Sequence, residues 1–287
     1  VVHRMKLAII HADDYGWSEG VNHAILDSHQ YGILTSTSVI TTMPGFLDAV
    51  DRRDEAPDLG FGAHLSLNLG RPISRPDSIP LLVDSNGYLR YSYLYHLTSS
   101  NNRQYLDQCR REVTAQIETL QDNGFSLDHL NSQSHIHMIP RLYDIIDELK
   151  VELSILHLRN SVEPWYGKPY IKRPDNLLKC LTLSVLERFR PREMQPNVKF
   201  VGTRHSGGMD SATLETYFRN LETGIWEIVL HPGTGVLNDD SGYHKSAVRW
   251  MRSTGRRLEW DALLSETVRT ALEEAGITTI RFADLNR

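Results

Sequence analysis

Lys6-Leu7-Ala8-Ile9-Ile10-His11-Ala12-Asp13-Asp14-Tyr15-Gly16, residues 6–16, is the stretch whose reading decides the fold. An apolar run over 6–11 that breaks into polar residues is the pattern of a buried parallel strand. Ser18 and Glu19 then cap a helix through about residue 30, with Val21, Ile25 and Leu26 on one face and Gly32 past its end. The same alternation continues outward. Strands are expected at 36–42, 60–68, 127–137, 155–159, 199–202, 226–231 and 278–282. Helices are expected at 46–53, 103–123, 140–152, 176–189, 212–220 and 260–275. Strand and helix alternating over the whole length imply a parallel sheet with right-handed crossovers. The expected fold is α/β, a distorted β/α barrel in a single domain over 1–287, with a doubly wound open sheet as the structural alternative. Two irregular insertions, 71–100 and 161–174, interrupt it.

Composition excludes several classes. With 31 Lys and Arg against 36 Asp and Glu, the net charge of −5 argues against a nucleic-acid binder, which needs a basic face. Two cysteines, Cys109 and Cys180, are too few for a disulfide framework or a thiolate zinc site. No apolar run approaches the roughly 18 residues of a membrane span. The N-terminal run lacks the core and cleavage site of a signal peptide, so a soluble, cytoplasmic protein is expected.

The 13 histidines are placed unevenly. In parallel β/α folds, sites form at the carboxyl ends of strands, and those ends carry His11, Asp13 and Asp14, then His64, then the run from His129 to His137. Later ends carry His157 and Arg159, then His231-Pro232-Gly233. Several strands delivering carboxylate or imidazole to one rim point to an enzyme. Strand parity sorts these residues further: His64, Ser66 and Asn68 share a polar face, and His129, Asn131, Gln133, His135 and His137 share another.

These residues resemble the YdjC/ChbG-like carbohydrate deacetylases. The likeness runs from Ala12–Gly16 through Gly20-Val21-Asn22, residues 32–38 and 62–65, and on to Leu69-Gly70-Arg71-Pro72. It continues in His129-Leu130, His135-Ile136-His137, Phe200-Val201-Gly202 and residues 227–233. The resemblance implies a barrel similar to that of polysaccharide deacetylases, one divalent metal (zinc or magnesium), and removal of the N-acetyl group from an amino sugar or its conjugate. It further implies Asp14 and His64 as metal ligands, Asp13 as general base, and His231 as proton donor or substrate contact. The third ligand departs from the family pattern Asp-Ser-His-x-His-x-His: Asn131 stands at the aspartate and Gln133 at the ligand histidine. An amide oxygen is a poor zinc donor, acceptable to a harder ion. His135 has the right parity but lies about 7 Å further along an extended chain, so it replaces the ligand only if the backbone bends.

The leading expectation is therefore a metal-dependent deacetylase; the alternative is a sugar-binding relative with a degraded metal site. His135, His137 and Arg159 are expected on the substrate, Arg159 holding either a site carboxylate or a substrate oxygen. Tyr88, Tyr91, Tyr93, Tyr95, Trp165 and Tyr166 in the insertions offer aromatic faces to a saccharide or to a homodimer partner.

Overall fold

In the computed structural model the described residues are 5–164, 174–189, 198–237, 240 and 243–286. The chain runs β1 (Lys6–Tyr15), α1 (Glu19–Gln30), β2 (Ser36–Val39), α2 (Phe46–Asp51), β3 (Gly60–Leu65), α3 (Tyr93–Ser99), α4 (Arg103–Asp122), β4 (Leu127–Ser132), α5 (Pro140–Glu152) and β5 (His157–Leu158). It continues α6 (Pro174–Glu187), β6 (Val198–Val201), α7 (Ser211–Asn220), β7 (Gly224–Leu230), α8 (Lys245–Met251), α9 (Thr254–Leu264), α10 (Glu266–Glu274) and β8 (Ile277–Thr279). The Ser18 side chain accepts from the Val21 amide, the cap that opens α1 directly after the first strand.

The strands form one parallel sheet in the order β5-β4-β3-β2-β1-β7-β6, with β8 beside β1. The short β8 pairs only with Lys6–Ala8, and β2 takes over the same side of β1 from His11 onward. Among the described residues nothing pairs β5 with β6, so this is a distorted barrel left open on one side rather than a closed one. The excursion at 71–100 stays mostly irregular, as its prolines imply, but it contains α3. It is moored to α4: the Glu112 carboxylate accepts from the Ile73 and Ser74 amides at 2.9 Å each, and Gln108 accepts from Leu81.

The sheet has two chemically distinct faces because strand side chains alternate. Ala8, Ile10, Ala12, Val39, Ala63, Leu65, Leu130, Ile228 and Leu230 join the hydrophobic core beneath the helices. The residues between them, including His11, Asp13, Ser36, Ser38, His64, His129, Asn131 and Glu227, are buried and polar. Register keeps that polar face coherent, with His11 beside Ser36, His64 beside Asn131, and His129 beside His157.

Three expected elements differ most, while the strands expected at 36–42, 60–68 and 155–159 are shorter than expected. The strand over 127–137 stops at Ser132, and Gln133–Met138 becomes a 3-10 segment in which Ser134 (φ 54°) and His135 (φ 53°) are left-handed. The helix over 260–275 is two helices, broken at Ser265. The last strand covers three residues before a 3-10 turn, Phe282–Asn286. No helix among the described residues is long and apolar enough to cross a membrane.

Candidate functional site

Adjacent side chains of a regular strand point to opposite faces, yet Asp13 and Asp14 line one cavity. A register shift between Ala12 and Tyr15, with Asp14 at φ 81°, turns the second carboxylate to the polar side. Left-handed backbone at a non-glycine residue costs energy and persists where the surroundings hold it, most often at functional sites.

Asp13 sits at the centre of a buried network. The Arg159 guanidinium donates to both its oxygens (2.8 and 2.9 Å), while Ser38 and Asn131 each donate to Oδ1 at 3.1 Å. Burial alone would raise this carboxyl, but Arg159, joined by His64 and His11, outweighs it and holds Asp13 well below the usual carboxylate range. The remaining Arg159 donors meet Glu227, Nε at 2.8 Å and Nη2 at 2.6 Å. Arg159 is fully buried, so of the two expected roles it takes the first: it holds site carboxylates and does not face substrate.

His231, at the end of β7, directs Nε2 to Asp13 Oδ2 (3.8 Å) and Nδ1 to Glu259 Oε2 (3.5 Å). Burial would lower this imidazole, but the Glu259 carboxylate, joined by Asp14 and Asp13, outweighs burial and raises it above its ordinary value. Glu259 also accepts from the backbone amides of Gly207, Gly208, Met209 and His231. Three residues before it on α9, Arg256 Nη1 donates to Asp14 Oδ2 at 2.8 Å.

The tautomer of His64 follows from the same network. Ionised Asp13 only accepts, so Asn131 Nδ2 donates to it and Asn131 Oδ1 faces His64 Nδ1 at 2.7 Å. In the neutral imidazole the proton then belongs on Nδ1 and the lone pair on Nε2. That lone pair lies between Asp14 Oδ1 (3.5 Å) and Gln133 Oε1 (3.1 Å). Three electron-pair donors with no proton among them form a set that a cation completes. The set therefore fits a divalent ion, although among the described residues no group of three His, Cys, Asp or Glu side chains is placed to hold one. The third donor is an amide.

The bend after Ser132 moves the two following histidines away from His64. His135 lines the cavity with Nε2 on Thr203 Oγ1 (3.3 Å), and burial lowers its pKa to about 3. His137 is fully buried, held by Ser132 and the Arg159 carbonyl (3.1 Å), and does not line the cavity. The expectation that His137 touches substrate is corrected: strand parity fails once the strand ends.

The cavity measures 610 Å³ and is walled by Trp17, Tyr91, Tyr93, Phe200 and Trp250 beside the polar groups. Of the four tyrosines expected there, Tyr88 packs under Arg71 (4.4 Å) and Tyr95 bonds to the Leu81 carbonyl, so only Tyr91 and Tyr93 line it. Trp165 and Tyr166 lie outside the described residues. Sequence reading gave no role to Glu227, Arg256 or Glu259. Glu227 shares strand parity with His231 and was open to that argument; Arg256 and Glu259 lie on a helix, where no strand end marks them.

Comparison with known proteins gives a consistent result. Residues 7–274 match the model of the family described as YdjC-like protein. A carbohydrate deacetylase of Listeria monocytogenes serotype 4b is 33% identical over 286 residues, covering 98% of this chain and 100% of that protein. A carbohydrate deacetylase of Thermoanaerobacter pseudethanolicus is 28% identical over 242 residues, 84% of this chain and 87% of the relative. Among solved structures, an Enterococcus faecalis protein named for cellobiose-phosphate cleavage superposes with a TM-score of 0.74 at 24% identity, covering 98% of this chain and 99% of that one. That likeness shows the fold.

Proposed function

The chain belongs to the YdjC-like family, and from that premise we propose that it is a carbohydrate deacetylase hydrolysing the acetamide of an N-acetylated amino sugar or its conjugate. The observation that carries the reading is the pair Asp13 and His231, facing each other at 3.8 Å across the floor of an aromatic-walled cavity. Asp13, kept ionised by Arg159, accepts the proton of the attacking water as its oxygen bonds to the acetyl carbon. His231, kept protonated by Glu259, gives its proton to the amide nitrogen as the C–N bond breaks, leaving acetate and a free amine. A divalent cation held by Asp14, His64 and Gln133 would supply Lewis acidity to the water and the amide carbonyl. Tyr91, Tyr93 and Trp250 present ring faces and edges on which a sugar can stack. His135, neutral at working pH, offers a hydrogen bond to a substrate hydroxyl.

A second reading, a sugar binder that does not hydrolyse, is favoured by one observation: amides occupy positions 131 and 133 of the site. Acetate release from a panel of N-acetylglucosamine-bearing saccharides, measured with added zinc or magnesium, separates the two. The deacetylase reading expects turnover that Asp13→Asn reduces by about 10²- to 10⁴-fold, the usual share of a proton-transfer group. Saccharide binding without acetate release in any metal would establish the second reading.

A further inference from the structure

Arg256 is fully buried, and its guanidinium lies 5.7 Å from the Trp17 ring centroid and 5.5 Å from that of Trp250. Nη1 donates to Asp14 Oδ2 at 2.8 Å and Nη2 meets the Pro232 carbonyl at 3.4 Å. A Cβ built on Gly233 would stand 2.9 Å from Arg256 Nε, so the glycine of His231-Pro232-Gly233 leaves the room through which this side chain passes. The Gly233 amide in turn donates to the Arg256 carbonyl at 3.2 Å. The tripeptide thus supplies His231 on one side and, through Pro232 and Gly233, a seat for Arg256 on the other.

Asp14 therefore divides its two oxygens between two demands. Oδ2 is held by Arg256, and Oδ1 is left toward His64 Nε2, 3.5 Å away. A fixed cation on the far oxygen also withdraws charge from a donor set whose other members, an imidazole and an amide, are neutral.

We propose that Arg256 is a positioning residue for Asp14: it confines the carboxylate to one free oxygen and, by its charge, keeps the divalent-cation affinity of the site low. This rests on the cation reading given above for Asp14, His64 and Gln133. Groups that support a metal ligand typically cost about 10- to 100-fold in metal affinity when they are lost, whereas loss of an opposing charge acts in the other direction. A purely structural arginine would, when lost, loosen the site. An arginine acting by charge would, when lost, tighten it.

The test is calorimetric titration of the apo protein with zinc chloride and, separately, magnesium chloride, alongside far-ultraviolet circular dichroism. Arg256→Gln is expected to bind zinc at least about tenfold tighter than the wild type because an opposing charge is gone, and Arg256→Lys, which keeps the charge, to stay near wild-type affinity. If the wild type shows no binding and Arg256→Gln does, the proposal also stands. Equal or weaker binding by a folded Arg256→Gln overturns it while leaving the cation reading intact. Should Arg256→Gln fail to fold, Gly233→Ala, which pushes the guanidinium from its seat, decides in the same sense: tighter binding supports the proposal, and unchanged or weaker binding overturns it. Titrations in which neither the wild type nor any variant binds either metal overturn both the proposal and the reading beneath it.

Discussion

Gln133 shows how one side chain sets the character of the site. Its Oε1 is 3.1 Å from His64 Nε2, while Nε2 of the amide points to Ser134 Oγ at 3.4 Å. The position that strand parity assigns to the site is thus occupied as expected, because Gln133 is the last residue before the backbone turns left-handed at Ser134 and His135. Nitrogen is the better donor for a borderline ion, so Gln133→His should tighten zinc binding and leave magnesium binding unchanged or weaker. Calorimetry with both metals checks this; zinc affinity unmoved by the new imidazole would remove position 133 from the donor set. Asp13, Asp14, His64 and His231 were legible in the sequence because each sits at or next to a strand end. His137 was misread for the reason that places it: a backbone bend that no local residue type announces, since neither Ser134 nor His135 is a glycine.

The element that sequence reading undervalued is α9. It enters after the last strand end in the site, yet it carries Arg256 to Asp14 and Glu259 to His231, three residues apart on one helical face. Its pattern showed only an amphipathic helix, and the expected span began at residue 260, beyond both groups. Charged side chains on a helix read as solvated unless their partners are known, and these partners lie more than 25 residues away in sequence. Glu259 raises His231, so the proposed general acid stays protonated to higher pH than a free imidazole would. Activity that needs this proton is present below the raised pKa and lost as pH climbs through it. Glu259→Gln removes the opposing charge; the alkaline limb of the kcat profile should move to lower pH, with kcat at pH 8 falling roughly ten- to hundredfold. The single carbonyl oxygen of the glutamine can still accept from the Gly207, Gly208 and Met209 amides, at the loss of the bond from the His231 amide. An alkaline limb that stays in place would separate Glu259 from the acid and leave it only the role of binding those amides.

Across the whole molecule, the interior of the open barrel below the site is filled by aromatic and imidazole rings. Phe282, brought in after β8, is fully buried with His129 stacked at 4.2 Å and His157 at 4.9 Å, and His11 stands edge-on at 6.1 Å. The Ile280 amide donates to the Ala8 carbonyl and the Ala283 amide to Asp128, so the C-terminal segment is sewn to both β1 and β4. The alternation of strand and helix made the sheet legible, but not this plug, because three residues of strand and one phenylalanine carry no periodicity. His157 finds no hydrogen-bond partner for either ring nitrogen among the described residues, and burial lowers its pKa to about 3. Its folded pKa is below the unfolded value near 6.5, so between those limits the unfolded chain binds more protons. The stability His157 permits is fully present above about pH 6.5 and drains away as pH falls toward 3, by at most about 1.4 kcal/mol per pH unit. His157→Leu removes a desolvated polar ring without orphaning a partner, a change that is neutral or stabilising. The variant should match or exceed the wild-type Tm at pH 8 and exceed it by a further 2–4 °C or so at pH 5, the shift that about 1 kcal/mol gives in a chain of this size. Thermal melts followed by circular dichroism at the two pH values measure this difference. A Tm gap that does not widen on acidification would mean that His157 is not among the groups whose protonation unfolds the protein.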